Sequence, residues 1–499
     1  MRVLLCVGLG EALSSALVET RDRRFWAIAG ALLAFWATGI RINNAIVYPL
    51  HYGFDAPANW DYIARLLTSW RLPTPGEGWS TAHPPLFYYL SALVGRALGG
   101  VLGGIDKQTI TVVVRLLSSA IGLAGIALAV IWVRHCDPGN RLRSTIAAAL
   151  LLFSPVHLYM SAMLGEEILS SALISAVLVG VAFDLQRPPD RRLSLPAMSG
   201  LGLLAGFAFL TKLTGLLLVA AVGLAYLLDG FRRRDLASIL PRSLVFGAVA
   251  IIIGGWPYVH NRIEYGYFYP QNLMVHELMF SMPPGERGVA DYLNFPLATF
   301  KDPQVLAPKL LHSVWGTTYT TLWFDGHRVM LPRRDALVTF AGSSLLVLGL
   351  LPTLAFFVGA GRGLRRALRE PGGPDTLFLS LIVLTLAGYV MFTWQNPWYA
   401  TIKASYMLGV AVPFAYYTSE VLAEWMRPGR RARQMAIALP LVLLLIGSAL
   451  TFTVNLVFVK REGPGFHWPR VDPSRHYERV TPAQRDETVD ETVTGEPAS

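Results

Sequence analysis

At 499 residues with 53% hydrophobic side chains, 15% charged side chains and a mean hydropathy of +0.44, the chain has too few charges to cover a soluble fold of its size. It is therefore an integral membrane protein, and its formal net charge of +10 does not point to nucleic acid, because the basic residues fall in short clusters between apolar segments. The two cysteines, Cys6 and Cys136, give no basis for a disulfide framework or a cysteine metal knuckle.

Residues 3–18 are apolar without an early basic region, which predicts an amphipathic or buried N-terminal helix in preference to a removed signal peptide. Basic clusters follow at 21–24, 134–143, 187–192, 232–234, 362–369 and 427–433. If all are cytoplasmic, each neighbouring pair is separated by an even number of crossings. Pairs of apolar segments at about 144–164 and 168–186, 197–211 and 213–228, and 376–395 and 403–424 satisfy that rule. The first interval holds three apolar segments, at about 26–47, 84–105 and 109–133, so one of them does not cross. The middle one opens on His-Pro-Pro-Leu, contains Arg96 and is rich in glycine, which weakens a spanning helix; it is expected to lie on the outer face. Further spans are predicted at about 241–259, 336–359 and 435–459, giving an all-α polytopic protein of about eleven crossings with the N-terminus inside.

This topology predicts a transmembrane catalytic domain over 1–425, with outer loops at about 48–108 and 260–335, a final membrane element over 426–459, and an external tail over 460–499. The tail is polar without apolar period and is expected to be disordered. No internal repeat is visible. The first outer loop carries Asp55, Asp61, Glu77 and His83 among aromatics and prolines. Within it, Trp60, Ile63, Leu66, Leu67 and Trp70 recur at spacings of three and four behind Pro57, which predicts a helix lying in the membrane interface. The same topology brings Glu166, Glu167, Lys212, Arg262, Lys403 and Tyr406 to the outer side. Ionisable groups at membrane depth are costly and mark functional sites. The bland alternatives are an Asp55 that caps a helix, glutamates at headgroup level, and cations that snorkel.

HPPLFYYL (83–90), MLGEEILSSAL (163–173), GWPYVHNRIEYG (255–266) and KASYMLGVAVP (403–413), set in these loops, make a pattern that resembles the GT-C glycosyltransferases. Within them it is similar to the branch of protein O-mannosyltransferases and lipid A aminoarabinose transferases. The resemblance spans roughly 20–425 and implies a GT-C fold with juxtamembrane helices in the first outer loop and a large outer loop after the seventh span. It implies transfer of a sugar from a polyprenyl-phosphate donor to a lipid, glycan or protein acceptor at the outer face of the cytoplasmic membrane, with inversion. Asp55 is then expected to deprotonate or orient the acceptor, with Glu166 or Glu167 beside it. Lys212, Arg262, Lys403, Tyr406 and His83 are expected to hold donor and phosphate. In the 403–413 segment Gly409 stands where a proline is usual. Two departures bear on the acceptor more than on the reaction: Ala56 follows Asp55 where protein O-mannosyltransferases carry Asp-Glu, and the extra luminal domain that some eukaryotic members insert is lacking.

Membrane lipids are expected partners and nucleic acid is not. No residue spacing demands a metal, and none is assigned. The arginine- and alanine-rich composition suggests a bacterium, hence an inner-membrane enzyme with its site facing the periplasm. The rival of another class is a transporter or flippase of lipid-linked sugars, which the absence of a paired repeat disfavours. A second rival, a lipid phosphoryl transferase or polymer ligase, would make a pyrophosphate-linked product. Trp315, Tyr319, Trp323 and His327 in the long loop are expected to cover the site or to pack as a loop core.

Overall fold

The computed structural model describes residues 2–50, 52–104, 106–269, 287–331, 335–427, 429 and 431–457, with side chains from Arg24 onward. The predicted tail from about 460 and part of the long loop, 270–286, lie outside the described residues. The described residues are helical, with no β-strand among them.

The helices follow the predicted order: α1 (Arg2–Val47), α2 (Ala56–Ser69), α3 (Leu86–Leu102), α4 (Lys107–Cys136), α5 (Arg141–Leu152), α6 (Pro155–Ala162), α7 (Glu167–Gln186), α8 (Leu195–Thr211), α9 (Thr214–Arg233) and α10 (Leu236–Tyr265). After the long loop, with α11 (Val314–Trp323) inside it, come α12 (Ala336–Arg369), α13 (Pro374–Gln395), α14 (Ala411–Trp425) and α15 (Arg431–Phe452). Of the described helices, 8 are long and apolar enough to cross a membrane, or up to 9 if α5 and α6 form one span bent by 45°. The eleven predicted crossings differ at two others. Leu195–Thr211 has only 17 residues, and the 403–424 segment is a 3-10 turn, Ala404–Val410, followed by the 15-residue α14. Pro155 accounts for the α5–α6 bend, since its ring clashes with a continuing helix and it lacks the amide proton.

Arginine clusters and site residues occupy opposite ends of the same helices. α7 runs from Glu167 to Gln186 just before Arg187, and α9 runs from just after Lys212 to Arg233. The arginine ends are tied by ion pairs: buried Arg192 lies 3.4 Å from Asp184 and 2.5 Å from Asp229, and the half-buried Arg366 is 2.8 Å from Asp375 and 2.9 Å from Glu420. α8 and α10 approach backbone to backbone, because a Cβ on Gly202 would fall 2.6 Å from the Phe246 carbonyl oxygen and one on Gly254 2.7 Å from that of Gly206.

At the other end, Arg115 of α4 donates to the carbonyls of Tyr48 (2.6 Å) and Pro49 (3.0 Å), fixing the chain where it leaves α1 and starts the first loop. α2 and α3 then pack on each other and on α4 and α7 through Tyr62, Leu66, Phe87, Tyr88, Ile110 and Leu169. The buried anchor of α2 is Tyr62, stacked on Tyr88 at 4.1 Å between centroids, while Trp60, on the apolar face read from the sequence, is half-buried. Such a stacked pair contributes about 1 kcal/mol beyond its buried area. α2 and α3 thus form one packed cap, and α3 falls short of spanning length, in keeping with the non-crossing helix expected there.

Candidate active site

The charged residues of the site sit where helices break. Glu166 precedes α7, Lys212 interrupts the α8–α9 run in extended conformation, Lys403 precedes the 3-10 turn before α14, and Asp55 precedes α2. Irregular backbone at membrane depth is tolerated where it lines a cavity or is buried in protein.

Asp55 is a non-glycine residue with φ 53°, a left-handed conformation that costs of order 1 kcal/mol, and its side chain makes no cap hydrogen bond. Its carboxylate is thus turned away from the helix end that the bland reading assigned to it. It accepts from Trp79 Nε1 at 3.1 Å and faces Lys403 Nζ at 3.6 Å. Burial alone would raise its pKa, but Lys403, His83 and Trp79 together hold the carboxyl below the usual aspartate range.

Glu166 and Glu167 both point into the site, where the sequence left open which one does. Lys212 Nζ lies 3.4 Å from Glu166 Oε1 and 3.2 Å from Glu167 Oε1. Gly165 makes room for this, since a Cβ there would meet Glu167 Oε2 at 2.8 Å. Burial pushes the Glu166 carboxyl up, and Lys212 and His83 more than offset it, leaving its pKa lowered. The Tyr406 ring joins the two cations, with Lys212 Nζ 5.1 Å and Lys403 Nζ 5.4 Å from its centroid. Lys403 also stands 4.4 Å from the Phe54 ring.

His83 closes the group: its Nδ1 is 2.9 Å from the Tyr88 hydroxyl and 4.0 Å from Glu166 Oε1, and its ring stacks on Tyr269 at 6.4 Å. It lines a cavity of about 240 Å³ whose other walls include Arg71, Thr74, Tyr258, His260 and Asn261. A separate apolar groove of about 500 Å³ runs along the same end of α13, lined by Trp315, Leu386, Val390, Met391 and Trp394. It adjoins the site through aromatic contacts, since Trp315 packs on Tyr389 at 6.1 Å and Tyr389 on Tyr406 at 6.2 Å.

Seven of the eight sequence-predicted residues come together: Asp55, His83, Glu166, Glu167, Lys212, Lys403 and Tyr406. Arg262 does not join them. It is exposed at the end of α10, donates to the Gly266 carbonyl and lies 5.8 Å from the Phe268 ring, so it caps its own helix. In the long loop, Tyr319 and Trp323 are packed, bonded to Leu346 O (2.8 Å) and Thr353 Oγ1 (3.0 Å). His327 reaches the site's edge, edge-on to Phe54 at 5.2 Å; burial pushes its pKa down to about 4. Trp79, Tyr88, Asn59, Phe54 and Tyr269 were missed. Asn59 had a signal, being a polar residue on the buried face three positions before Tyr62. Trp79 had none, because its approach to Asp55 depends on the fold of the 71–85 turn. Among the described residues no three His, Cys, Asp or Glu side chains are placed to share a metal ion.

Fold and site together define a polytopic helical membrane protein with a buried ionic cluster at one end of its helices. No protein-family model and no curated protein sequence matches the chain. Among solved structures it is similar to ArnT from Cupriavidus metallidurans bound to undecaprenyl phosphate, at 14% identity, covering 86% of this chain and 76% of that one, with a TM-score of 0.48. It is also similar to the oligosaccharyltransferase AglB from Archaeoglobus fulgidus in complex with an inhibitory peptide and a dolichol-phosphate, at 13% identity and TM-score 0.49. That match covers 88% of this chain, which spans only 57% of the archaeal one. Both are GT-C membrane glycosyltransferases.

Proposed function

We propose that the protein is a GT-C glycosyltransferase that moves a sugar from a polyprenyl-phosphate donor to a lipid, glycan or protein acceptor at the outer face of the membrane, by direct inverting displacement. The observation that carries this reading is the placement of two lysines, Lys403 buried and Lys212 half-buried, over one tyrosine ring, 5.4 and 5.1 Å from its centroid, opposite three carboxylates. An anion held above Tyr406 interacts with both ammonium groups, and a phosphate leaving group gains charge as the glycosidic bond breaks. In a site shielded in part from water that attraction is stronger than in bulk solvent.

Asp55 stays a carboxylate and orients or deprotonates the acceptor hydroxyl, while Glu166 and Glu167 hold Lys212 in place. The apolar groove on α13 suits the donor's polyprenyl tail: it lies along a membrane helix and connects to Tyr406 through Tyr389. Release of polyprenyl phosphate from a synthetic polyprenyl-phosphate sugar by the purified protein tests the reading.

A further inference from the structure

A chain of hydrogen bonds fixes the proton on His83 from the far end inward. The Leu164 carbonyl can only accept, so the Asn59 atom 2.8 Å from it is the amide nitrogen. Asn59 Oδ1 is then the atom 2.9 Å from the Tyr88 hydroxyl, and being an acceptor only, it takes the single proton of that hydroxyl. With its proton spent, the Tyr88 oxygen can only accept from His83 Nδ1, 2.9 Å away. Nδ1 therefore carries a proton, and in the neutral ring the lone pair is left on Nε2. Asn59 and Tyr88 are buried, and Tyr88 is further pinned by its stack on Tyr62, so the relay is rigid. Nε2 has no hydrogen-bond partner among the described residues, and the ring lines the polar cavity beside Arg71, His260 and Asn261.

We propose that His83 Nε2 takes the proton of the acceptor hydroxyl, with Tyr88 and Asn59 as its positioning residues and Asp55 orienting the acceptor only. This rests on the glycosyl-transfer reading. Asp55 is poorly suited to the base role because its carboxylate is already engaged by Trp79 at 3.1 Å and Lys403 at 3.6 Å. In the step, the acceptor O–H bond breaks and its proton moves to Nε2. The freed electron pair forms the new bond to the anomeric carbon as the bond from that carbon to the phosphate oxygen breaks, and polyprenyl phosphate leaves with that bonding pair. The imidazolium so formed faces Glu166 Oε1, 4.0 Å from Nδ1, which stabilises the charge.

Two measurements on the full-length protein in nanodiscs test this. The first is the 15N spectrum of histidine-labelled protein at a pH where the ring is neutral, with the His83 signals assigned by loss in His83→Gln. The expected result is the proton on Nδ1 in the wild type and a redistribution toward Nε2 in Tyr88→Phe; a wild-type proton on Nε2 overturns the proposal. The second is turnover of His83→Ala with and without added imidazole. A loss of about a hundredfold or more, as for removal of a general base, with at least tenfold recovery by imidazole, is expected. Turnover retained in His83→Ala, or lost without any recovery by imidazole, overturns the base role. No turnover by the wild type with any donor would overturn the underlying glycosyl-transfer reading, and the ring spectrum would still report on the relay.

Discussion

Lys212 Nζ lies 3.2 Å from Glu167 Oε1, so the break between α8 and α9 is closed by an ion pair to the start of α7. Glu166 shares the same ammonium at 3.4 Å. Removing the lysine strands two buried carboxylates, a change that typically costs about 3–5 kcal/mol, whereas removing charge on both sides is far milder. Lys212→Met is thus expected to lower the thermal midpoint of the purified protein by several degrees. Combining it with Glu166→Gln and Glu167→Gln is expected to restore most of that loss. A triple variant no more stable than the single one contradicts the assignment.

The pH dependence of Asp55 follows from its neighbours. Its folded pKa is depressed, so the carboxylate persists below the ordinary value of 3.8, and any activity that depends on it is lost only as pH falls past that point. Lys403 is the main cation holding it there, against burial that pushes the other way. In Lys403→Met the burial effect is unopposed by that cation. The acid limb of the pH–rate profile that belongs to Asp55 should then move upward. An unmoved limb would show that Lys403 does not set the Asp55 charge.

Glu77 organises the turn between α2 and α3, accepting from Arg71 at 2.8 Å and from the Thr74 amide at 3.1 Å. Modest burial alone would raise its pKa, but the Arg71 and Thr74 hydrogen bonds win and hold it at about 2, below its ordinary 4.5. A depressed folded pKa contributes stability that is present above 4.5 and fades as pH falls toward 2. Amide exchange in residues 71–85 is expected to quicken across that window in the wild type and to be nearly pH-independent, after correction for intrinsic rates, in Glu77→Gln.

Much of this arrangement was legible in the sequence, because its cause is local. Charges that interrupt apolar runs, such as Lys212 in FLTKLTG and Glu166–Glu167 in MLGEEIL, are costly wherever the chain folds and so announce a site. His-Pro-Pro-Leu likewise marked the start of a short helix. What the sequence withheld was direction. Arg262 and Lys403 both read as cations beside aromatic residues, but α10 continues to Tyr265 and carries Arg262 out to an exposed cap, whereas the chain breaks before Ala404 and turns Lys403 inward. The Asp55 backbone was equally hidden, since a left-handed aspartate before a helix has no compositional signature. Two of the eleven predicted spans are matched by helices short of spanning length, and these adjoin the breaks at Lys212 and Lys403 that carry the site's lysines.

The α13 groove makes a length-dependent prediction. Ala387 is exposed and lines it, so a bulky substitution there fills part of the space proposed for the polyprenyl tail. Ala387→Trp is expected to raise KM about tenfold for a long-chain donor and to leave a short-chain donor nearly unaffected. Equal effects on both donors would place the tail elsewhere.

The most direct measurement is a donor screen with the purified protein in nanodiscs, following release of polyprenyl phosphate by mass spectrometry from synthetic polyprenyl-phosphate sugars, with Asp55→Asn as control. Release from one sugar donor, reduced at least a hundredfold in a folded Asp55→Asn protein, is the result this account predicts. Absence of release from every donor by a folded wild-type protein, or release that Asp55→Asn leaves unchanged, would contradict it.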